Sequence, residues 1–391
     1  MTDFSELMDV FSIPRPAGSK AERQVLASVT AWLEQKGIPY RLQPFRLYPY
    51  FFILTGLWLI FSRSLLALAF SLRWGEPTFT IAILSLAGGL LDVAFNLPII
   101  TWPGAVNGSN LIIEFKPEAP QQELILSAHY DSKTELLDHH QRSFFVKNLP
   151  LGILLTVLVG VLGSLDRSLM DQGSAWAPVV YILGLLLSLV LLFLAWGVGL
   201  NLSLGRLRKH PSQGAVDNGT ACAILLGLAE RMHQGEPTLK TTHLTLALFD
   251  GEEVNMQGSR AYVRQREWCL PARAVNLEIM AQDGDYVYWE QDGTSLRLVP
   301  TSAEVNQLIA QAVLEVTGSI AHPVGPVNSD GYSFLQAGIP ASTLGTYSTI
   351  WQDRGFHLPS DNLERVVMRR LPEAVAILEN IISQVDQHSL K

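Results

Sequence analysis

The chain has 391 residues, of which 48% are hydrophobic and only 16% are charged, and its formal net charge is −8. Soluble proteins contain about 25% charged residues, so this composition indicates long apolar segments rather than an ordinary soluble enzyme. The negative charge gives no reason to expect nucleic-acid binding. The only cysteines, Cys222 and Cys269, are too few for a disulfide framework or a cysteine-based zinc site.

The apolar residues are concentrated in four segments, each close to the roughly 20 residues that a membrane-spanning helix needs. They are residues 51–72, 79–100, 149–165 and 176–200. We expect four transmembrane helices arranged as two hairpins, because only residues 73–78 and 166–175 separate the members of each pair. Arg63 and Asp92 fall inside the first pair, and we expect them to face other helices rather than lipid. The alternative is four buried core helices.

Outside these segments, strand patterns alternate with helix patterns. The predicted strands are residues 40–45, 110–115, 123–128, 244–249, 274–279, 286–289 and 339–344, and the predicted helices are 22–36, 217–233, 303–316 and 363–385. This alternation predicts an α/β fold with a mixed, mostly parallel sheet covered by helices on both faces. The soluble domain would be assembled from residues 1–50, 101–148 and 201–391, with one hairpin inserted at 51–100 and the other at 149–200.

Two adjacent carboxylates, Glu252 and Glu253, follow the buried strand predicted at 244–249. Open α/β sheets bind ligands at the carboxyl ends of their strands. Neighbouring carboxylates repel each other unless a proton or a cation separates their roles. The pair therefore indicates a site in which one carboxylate holds a metal ion and the other moves protons, with a solvated acidic turn as the alternative.

Four other segments carry side chains that can bind metals at strand ends or turns. These side chains are His129 and Asp131 after the strand at 123–128, Asp217, Glu278, and His357 with Asp361. Taken singly, Asp217 and Asp361 could be the N-caps of the helices that follow them. Taken together, the set of imidazole and carboxylate ligands suits zinc, and suits manganese or cobalt less well.

The order of these motifs is His-x-Asp, Asp-Asn-Gly, Glu-Glu, Asn-x-Glu and His-x-x-x-Asp. This order resembles the co-catalytic di-zinc aminopeptidase family, which also contains glutamate carboxypeptidase II, glutaminyl cyclase, and non-enzymatic relatives such as transferrin receptor and nicastrin. The resemblance implies a fold of the zinc exopeptidase type, into which the four transmembrane helices predicted from the apolar segments would be inserted. At position 278 soluble members usually have Asp, and the Glu of this chain is similar to membrane-embedded relatives.

The resemblance also implies two zinc ions per chain, about 3.5–4 Å apart. Asp217 would bridge them. His129 and Glu278 would complete one site, and Glu253 and His357 would complete the other.

The catalytic roles implied by the resemblance fall on two further carboxylates. Glu252 would take a proton from water and return it to the leaving amine. Asp131 would lie behind the imidazole of His129 and orient it. The function implied is that of a membrane-anchored zinc exopeptidase, namely an aminopeptidase that binds a peptide substrate and the lipid bilayer.

Three alternatives remain at this point. One is a carboxypeptidase or a glutaminyl-cyclase-like enzyme, although the presence of His129 argues against the single-zinc cyclase pattern, which needs fewer ligands. A non-catalytic membrane scaffold with this fold would be expected to lose ligands, and this chain keeps all of them. A transporter built on the four helices has only Arg63 and Asp92 in its favour. The sequence leaves the oligomeric state open.

Charge bias predicts the orientation of the protein in the membrane. The segments that flank the predicted helices on the catalytic side contain an excess of basic residues, namely Arg41, Arg46, Arg142, Lys147, Arg206, Arg208 and Lys209. The opposite connections carry only Arg73 and Arg167. Because cytoplasmic loops are enriched in Lys and Arg, we expect an integral membrane protein with four spans whose catalytic domain lies in the cytoplasm.

Overall fold

Four parallel strands form the centre of a mixed sheet in the computed structural model, which describes residues 2–95, 104–294, 296–350, 352 and 354–387, with the backbone alone for residues 88–95. The strands are β1 (Arg41–Leu47), β2 (Val106–Phe115), β3 (Gln122–His129), β4 (Thr242–Phe249), β5 (Ala272–Glu278), β6 (Tyr286–Trp289), β7 (Gln291–Thr294), β8 (Arg297–Pro300), β9 (His322–Val324) and β10 (Ala341–Thr346). In the described residues, eight of them form one sheet in the order β1-β2-β4-β3-β5-β10-β6-β9. Strands β4, β3, β5 and β10 run parallel, so their carboxyl ends lie at one edge.

Helices cover both faces of this sheet. The helices are α1 (Phe4–Phe11), α2 (Lys20–Lys36), α3 (Phe51–Ser71), α4 (Glu76–Phe95), α5 (His139–Lys147), α6 (Leu149–Asp171), α7 (Ala177–Leu204), α8 (Thr220–His233), α9 (Gln257–Gln265), α10 (Ala303–Thr317), α11 (Gly331–Gln336) and α12 (Arg370–Gln387). One buried core joins the sheet to α1, α2, α8, α10 and α12. A smaller core joins the other face to α9 and α11, through Tyr262 and Phe334. The predicted α/β class is confirmed.

Two helices begin later than the sequence pattern predicts. Helix α8 begins at Thr220 rather than at Asp217, because Asp217 and Asn218 have non-helical backbone angles and belong to a tight turn. Helix α12 begins at Arg370 rather than at 363. Pro372 has no N–H to donate to the carbonyl of Met368, and its ring would clash with that carbonyl in a longer helix.

The four apolar helices α3, α4, α6 and α7 pack against one another outside the sheet. Three of them, α3, α6 and α7, are long and apolar enough to cross a membrane. The remaining predicted span, residues 79–100, is helical up to Phe95 as part of α4. Residues 96–100 and the side chain of Asp92 lie outside the described part of the chain. Arg63 is buried and donates a hydrogen bond to the carbonyl of Ser85 in α4, so it faces another helix.

Helices α3 and α7 approach each other closely through small residues. A Cβ atom on Gly56 would lie 2.7 Å from the carbonyl oxygen of Gly199, and a Cβ atom on Gly199 would lie equally close to the carbonyl of Gly56. Small residues at such crossings let the backbones of membrane helices pack closely. Larger side chains at these two positions would push the two helices apart.

Candidate metal centre

Three neighbouring strands bring acidic and imidazole side chains to the carboxyl edge of the sheet. His129 is the last residue of β3, and Glu278 is the last residue of β5. Strand β4 lies on the other side of β3 and ends at Phe249; the chain then turns through Gly251 before Glu252 and Glu253. Gly251 has φ 71°, a left-handed conformation that glycine adopts without strain. The turn therefore places both carboxylates beside His129.

Two loops complete the group. Asp217 lies in the turn that precedes α8, and His357 lies in the loop that follows β10. The carboxylate of Asp361 accepts hydrogen bonds from the backbone N–H groups of Val216 and Asp217, at 2.8 and 3.4 Å. The alternative in which Asp361 caps the last helix does not apply, because that helix begins at Arg370 and the carboxylate of Asp361 holds the turn that carries Asp217.

Asp217 lies between the two histidines. Its Oδ1 is 3.2 Å from Nε2 of His129, and its Oδ2 is 3.1 Å from Nε2 of His357. On one side, Nε2 of His129 also lies 3.4 Å from Oε2 of Glu278. On the other side, Nε2 of His357 lies 2.8 Å from Oε1 of Glu253. The five predicted ligands thus form two adjacent groups that share Asp217.

Three of these four distances, from 3.1 to 3.4 Å, fit ligands of tetrahedral zinc ions, and the distance of 2.8 Å between Glu253 and His357 is shorter. With zinc–ligand bonds of about 2.0 Å and tetrahedral angles, two nitrogen or oxygen ligands on the same ion are about 3.3 Å apart. Oε1 of Glu253 is buried and, although close to His357, has no hydrogen-bond partner among the described residues. A carboxylate oxygen placed in this way suits a shared cation better than a hydrogen bond. Within the group His129–Asp217–Glu278 the ligand atoms lie within 4.8 Å of one another, and the same holds within the group Asp217–Glu253–His357.

The electrostatics of the cluster also favour a bound cation. Burial, together with Asp217 and Asp330, raises the pKa of Glu278 to about 8 despite the opposing effect of His129. Burial and the charges of Glu253 and Glu278 raise the pKa of Glu252 well above its usual value. Buried like charges repel each other strongly, and a dication between them would relieve this repulsion.

The two imidazoles have pKa values well above the usual value. Burial alone would lower both, but the surrounding carboxylates outweigh it, principally Glu278 for His129 and Glu253 for His357. A metal ion would replace the proton on each Nε2 and satisfy the same carboxylates. Metal binding at this cluster would therefore release protons.

Asp131 supports the cluster from behind. Its two oxygens accept hydrogen bonds from the backbone N–H groups of Glu252 and Glu253, both at 3.1 Å. Its Oδ1 also lies 3.5 Å from Nδ1 of His129. One buried carboxylate therefore fixes the turn that carries the paired glutamates and lies next to the ring nitrogen of His129 that faces away from the ligand group.

Glu252 lies at the edge of the ligand groups. Its Oε2 is 3.9 Å from Nε2 of His129, which is farther than the distance from that nitrogen to Asp217 or Glu278. His129, Glu252 and Glu253 form a third possible metal-binding group. The longer distance favours a carboxylate that lies beside a metal ion without binding it.

Sequence reasoning missed three charged residues next to His357. Oε1 of Glu135 lies 3.4 Å from Nδ1 of His357, and Arg142 donates hydrogen bonds to both oxygens of Glu135. Lys133 pairs with Glu135 at 2.7 Å. Burial alone would raise the pKa of Glu135, but Arg142, Lys133 and His357 hold it well below its usual range. The buried carboxylate therefore remains ionised behind the imidazole.

Replacement of Glu135 by Gln is expected to weaken zinc binding about 10–100-fold, because the carboxylate behind a ligating histidine fixes the orientation of its ring and raises its basicity. The measurement is the zinc dissociation constant by competition with a chromogenic chelator. Glu230→Gln is a matched control, since Glu230 is also nearly buried and paired with a lysine, Lys36, but lies outside the cluster. Equal zinc affinities in the two folded variants would contradict this role of Glu135.

A buried arginine holds the loops around the cluster together. Arg15 is fully buried and donates hydrogen bonds to the carbonyls of Tyr130, Gln213 and Gly214. Its backbone N–H also donates to Oγ of Ser132. The N-terminal segment therefore links the loop after β3 to the turn that carries Asp217.

Part of the chain matches a protein-family model, and the whole chain is similar in fold to several solved structures. Residues 201–381 match the model described as Peptidase family M28. No curated protein matches the chain. The matched residues include four of the five predicted ligands, and His129 lies outside them.

Solved structures of similar fold cover almost the entire chain. An aminopeptidase from Aneurinibacillus sp. strain AM-1 is 13% identical with a TM-score of 0.56, and the alignment covers 98% of this chain and 94% of that one. A glutaminyl cyclase from Fimbriiglobus ruber is 16% identical with a TM-score of 0.55, covering 97% and 92%. A zinc aminopeptidase from Bacillus subtilis is 12% identical with a TM-score of 0.54, covering 97% and 93%. The chain shares its fold with zinc aminopeptidases and glutaminyl cyclases, and residues 201–381 match a peptidase family. The predicted resemblance to the co-catalytic zinc exopeptidases is confirmed.

Proposed function

We propose that the chain is a membrane-anchored, zinc-dependent aminopeptidase. The observation that supports the proposal most strongly is the position of Asp217 between His129 and His357, with Glu252 beside this group. The family match and the similar folds support the broader description, a zinc exopeptidase. The restriction to amino termini and the attachment to the membrane belong to the proposal.

In this proposal, two zinc ions would be held at the cluster. His129 and Glu278 would hold one ion, Glu253 and His357 would hold the other, and Asp217, which lies close to both histidines, would be shared. Bound zinc ions would lower the pKa of a water molecule and polarise the carbonyl of the bond to be cleaved. The ligands hold this position because their backbones are fixed at strand ends and in hydrogen-bonded turns.

Glu252 moves the proton in this proposal. Its carboxylate takes a proton from the attacking water and later donates it to the amine of the departing peptide. Its backbone N–H donates to Asp131, and that hydrogen bond positions the turn on which the carboxylate lies. Bound dications would lower the pKa of Glu252 again and restore its capacity to accept a proton.

A panel of substrates tests the reaction type. Purified protein loaded with zinc is offered amino-acid amides, matched N-acetylated peptides and peptides that begin with glutamine. We expect release of the first residue only from substrates with a free α-amine, and the measurement is product identity by mass spectrometry. Cleavage of the acetylated peptides from their carboxyl ends would contradict aminopeptidase action.

Glutaminyl cyclase activity is a second candidate function. It is favoured by the likeness in fold to glutaminyl cyclases, including that of Fimbriiglobus ruber. In the same panel, cyclisation leaves the peptide chain intact and removes ammonia from an N-terminal glutamine. The mass change therefore distinguishes the two reactions. The complete set of five ligands, with His129 retained, favours peptide hydrolysis.

We also propose that α3, α4, α6 and α7 all cross the membrane and that the catalytic domain is cytoplasmic. The support is the apolar character of the helices and the excess of basic residues on the catalytic side. A cysteine placed at Ser174, between α6 and α7, should react with a membrane-impermeant thiol reagent only from outside the cell. Labelling of this position from the cytoplasmic side would contradict the orientation.

A further inference from the structure

All connections to the membrane helices leave the sheet at the edge that carries the candidate centre. Strand β1 runs in the same direction as β4, because each pairs antiparallel with β2. Its last residue, Leu47, lies opposite Val106, where β2 begins, and the first hairpin is inserted between these two residues. The first hairpin therefore joins the domain on the side of the sheet where β4 delivers Glu252 and Glu253.

The second hairpin is attached even closer to the centre. It departs from the loop that follows His129 and returns to the turn that holds Asp217. Near its return, the side chain of Asn201 in α7 accepts hydrogen bonds from the backbone N–H groups of Leu136 and Leu137, at 3.0 and 2.9 Å. The end of a membrane helix is thus hydrogen-bonded to the loop that leads away from a proposed metal ligand.

Single side chains connect the ligand group to the membrane helices. Nζ of Lys133 lies 4.0 Å from Oε2 of Glu253 and 4.9 Å from the ring centroid of Phe52, in the first turn of α3. Arg142 belongs to α5, which only Asn148 separates from α6. Its Nη1 lies 3.1 Å from Nδ1 of His357. The side chain of Lys133 therefore lies between the centre and α3, and Arg142 links the centre to α5, the helix that precedes α6.

Apolar side chains are exposed around this edge. Ile350 is 75% exposed in the loop between β10 and His357, and Leu207 is 78% exposed just after α7. The loop of Ile350 also touches α5, since Nε2 of His140 lies 3.1 Å from the carbonyl oxygen of Gln352. Exposed apolar residues beside membrane helices are suited to burial at the boundary between lipid headgroups and acyl chains.

We propose that the candidate centre faces the bilayer and acts on the amino termini of peptide segments held at the membrane surface, either inserted helices or amphipathic segments. This inference rests on the proposed aminopeptidase function and specifies its class of substrate. A terminus held at the surface would lie where the centre opens, at a high effective concentration. A peptide in bulk water would have to enter the space between the sheet edge and the headgroups.

The orientation can be tested without catalysis, because Cys222 is buried and Cys269 is exposed. Cys269 precedes β5 by three residues and so belongs to the edge opposite Glu278, since a seven-residue strand is about 20 Å long. A donor dye on Cys269 is compared with a dye on Ile350→Cys in a Cys269→Ser background, with acceptor dyes on the lipid headgroups of nanodiscs. We expect much stronger energy transfer from position 350. Stronger transfer from Cys269 would overturn the inference.

The substrate class is tested with three versions of one peptide. One is soluble, one is joined to a transmembrane anchor by about five residues, and one is joined to the same anchor by about 40 residues. The full-length protein is reconstituted in nanodiscs together with each anchored peptide. We expect kcat/KM for the short-linker peptide to be about 100-fold higher than for the soluble peptide, because tethering raises the effective concentration at the surface. We also expect the short-linker peptide to be cleaved at least as efficiently as the long-linker peptide.

The outcomes separate this inference from the proposed function. Cleavage of the soluble and long-linker peptides, with the short-linker peptide left intact, would overturn the membrane-facing centre and leave the aminopeptidase in place. Failure to cleave any of the three would overturn the proposed function and the substrate class with it. Energy transfer would still report the orientation of the domain in that case.

Discussion

Replacing Glu252 by Gln is expected to lower kcat about 100- to 10,000-fold while both zinc ions remain bound, because the amide keeps the shape of the side chain but cannot take a proton. The distance of 3.9 Å between Oε2 of Glu252 and Nε2 of His129 favours a carboxylate beside the ions rather than on them. The measurements are the turnover rate on an amino-acid amide and the zinc content of the purified variant.

The matched control is Glu22→Gln. Glu22 is also nearly buried, and burial raises its pKa, but it accepts a hydrogen bond from the backbone of Gly18 and takes no part in the ligand groups. We expect this variant to keep its turnover rate. Full activity in Glu252→Gln would refute the role of the base, and loss of one zinc ion would make Glu252 a ligand, as the group with His129 and Glu253 allows.

Asp217→Asn is expected to reduce the zinc content from two ions to one or fewer and to lower activity by about 1,000-fold or more, because removing a shared ligand disables both ions that activate the water. The carboxylate of Asp217 is the one that approaches both His129 and His357. Asparagine offers a single neutral oxygen and cannot bridge two cations in the same way. Zinc stoichiometry after dialysis against a weak chelator measures the effect.

Asp250→Asn serves as the control for this substitution. Asp250 is buried near the same edge of the sheet and accepts a hydrogen bond from the backbone of Ser109. Burial and the neighbouring Glu22 raise the pKa of Asp250 well above its usual value, so an amide closely imitates the protonated acid. We expect two zinc ions in Asp250→Asn, and retention of two zinc ions in Asp217→Asn would contradict the bridging role.

The strands that carry the candidate centre could be predicted because burial imposes a simple pattern. The run at 244–249 is apolar on both faces because Leu244, Leu246 and Leu248 pack in one core and Ala247 and Phe249 pack in the other. The observed strand extends this run by only two residues. The apolar run stops at Phe249 and is followed by a turn and two carboxylates, which predicted where the strand ends at the edge of the sheet. The residue types and their places at strand ends indicated one metal-binding set, but the division of that set into two sites came only from the resemblance of the motif order.

The charged side chains that surround His357 could not be predicted, because their positions depend on contacts between segments that are far apart in the chain. Arg142 lies 215 residues before His357, and its position depends on the course of α5 beside the apolar helices α6 and α7. In the sequence it is one of several basic residues near an apolar segment. The structure gives it ion pairs with Glu135, so part of the charge bias used for orientation belongs to the catalytic domain itself.

The insertion of both hairpins into the catalytic domain determines when the centre can form during synthesis. His129 leaves the ribosome before the second hairpin, and Asp217, the glutamates and His357 leave after it. The ligand set is therefore incomplete until both hairpins have been made. If the proposed function and membrane anchoring hold, a growing chain could not hydrolyse peptides before its apolar helices have been synthesised, and the onset of activity would follow membrane insertion.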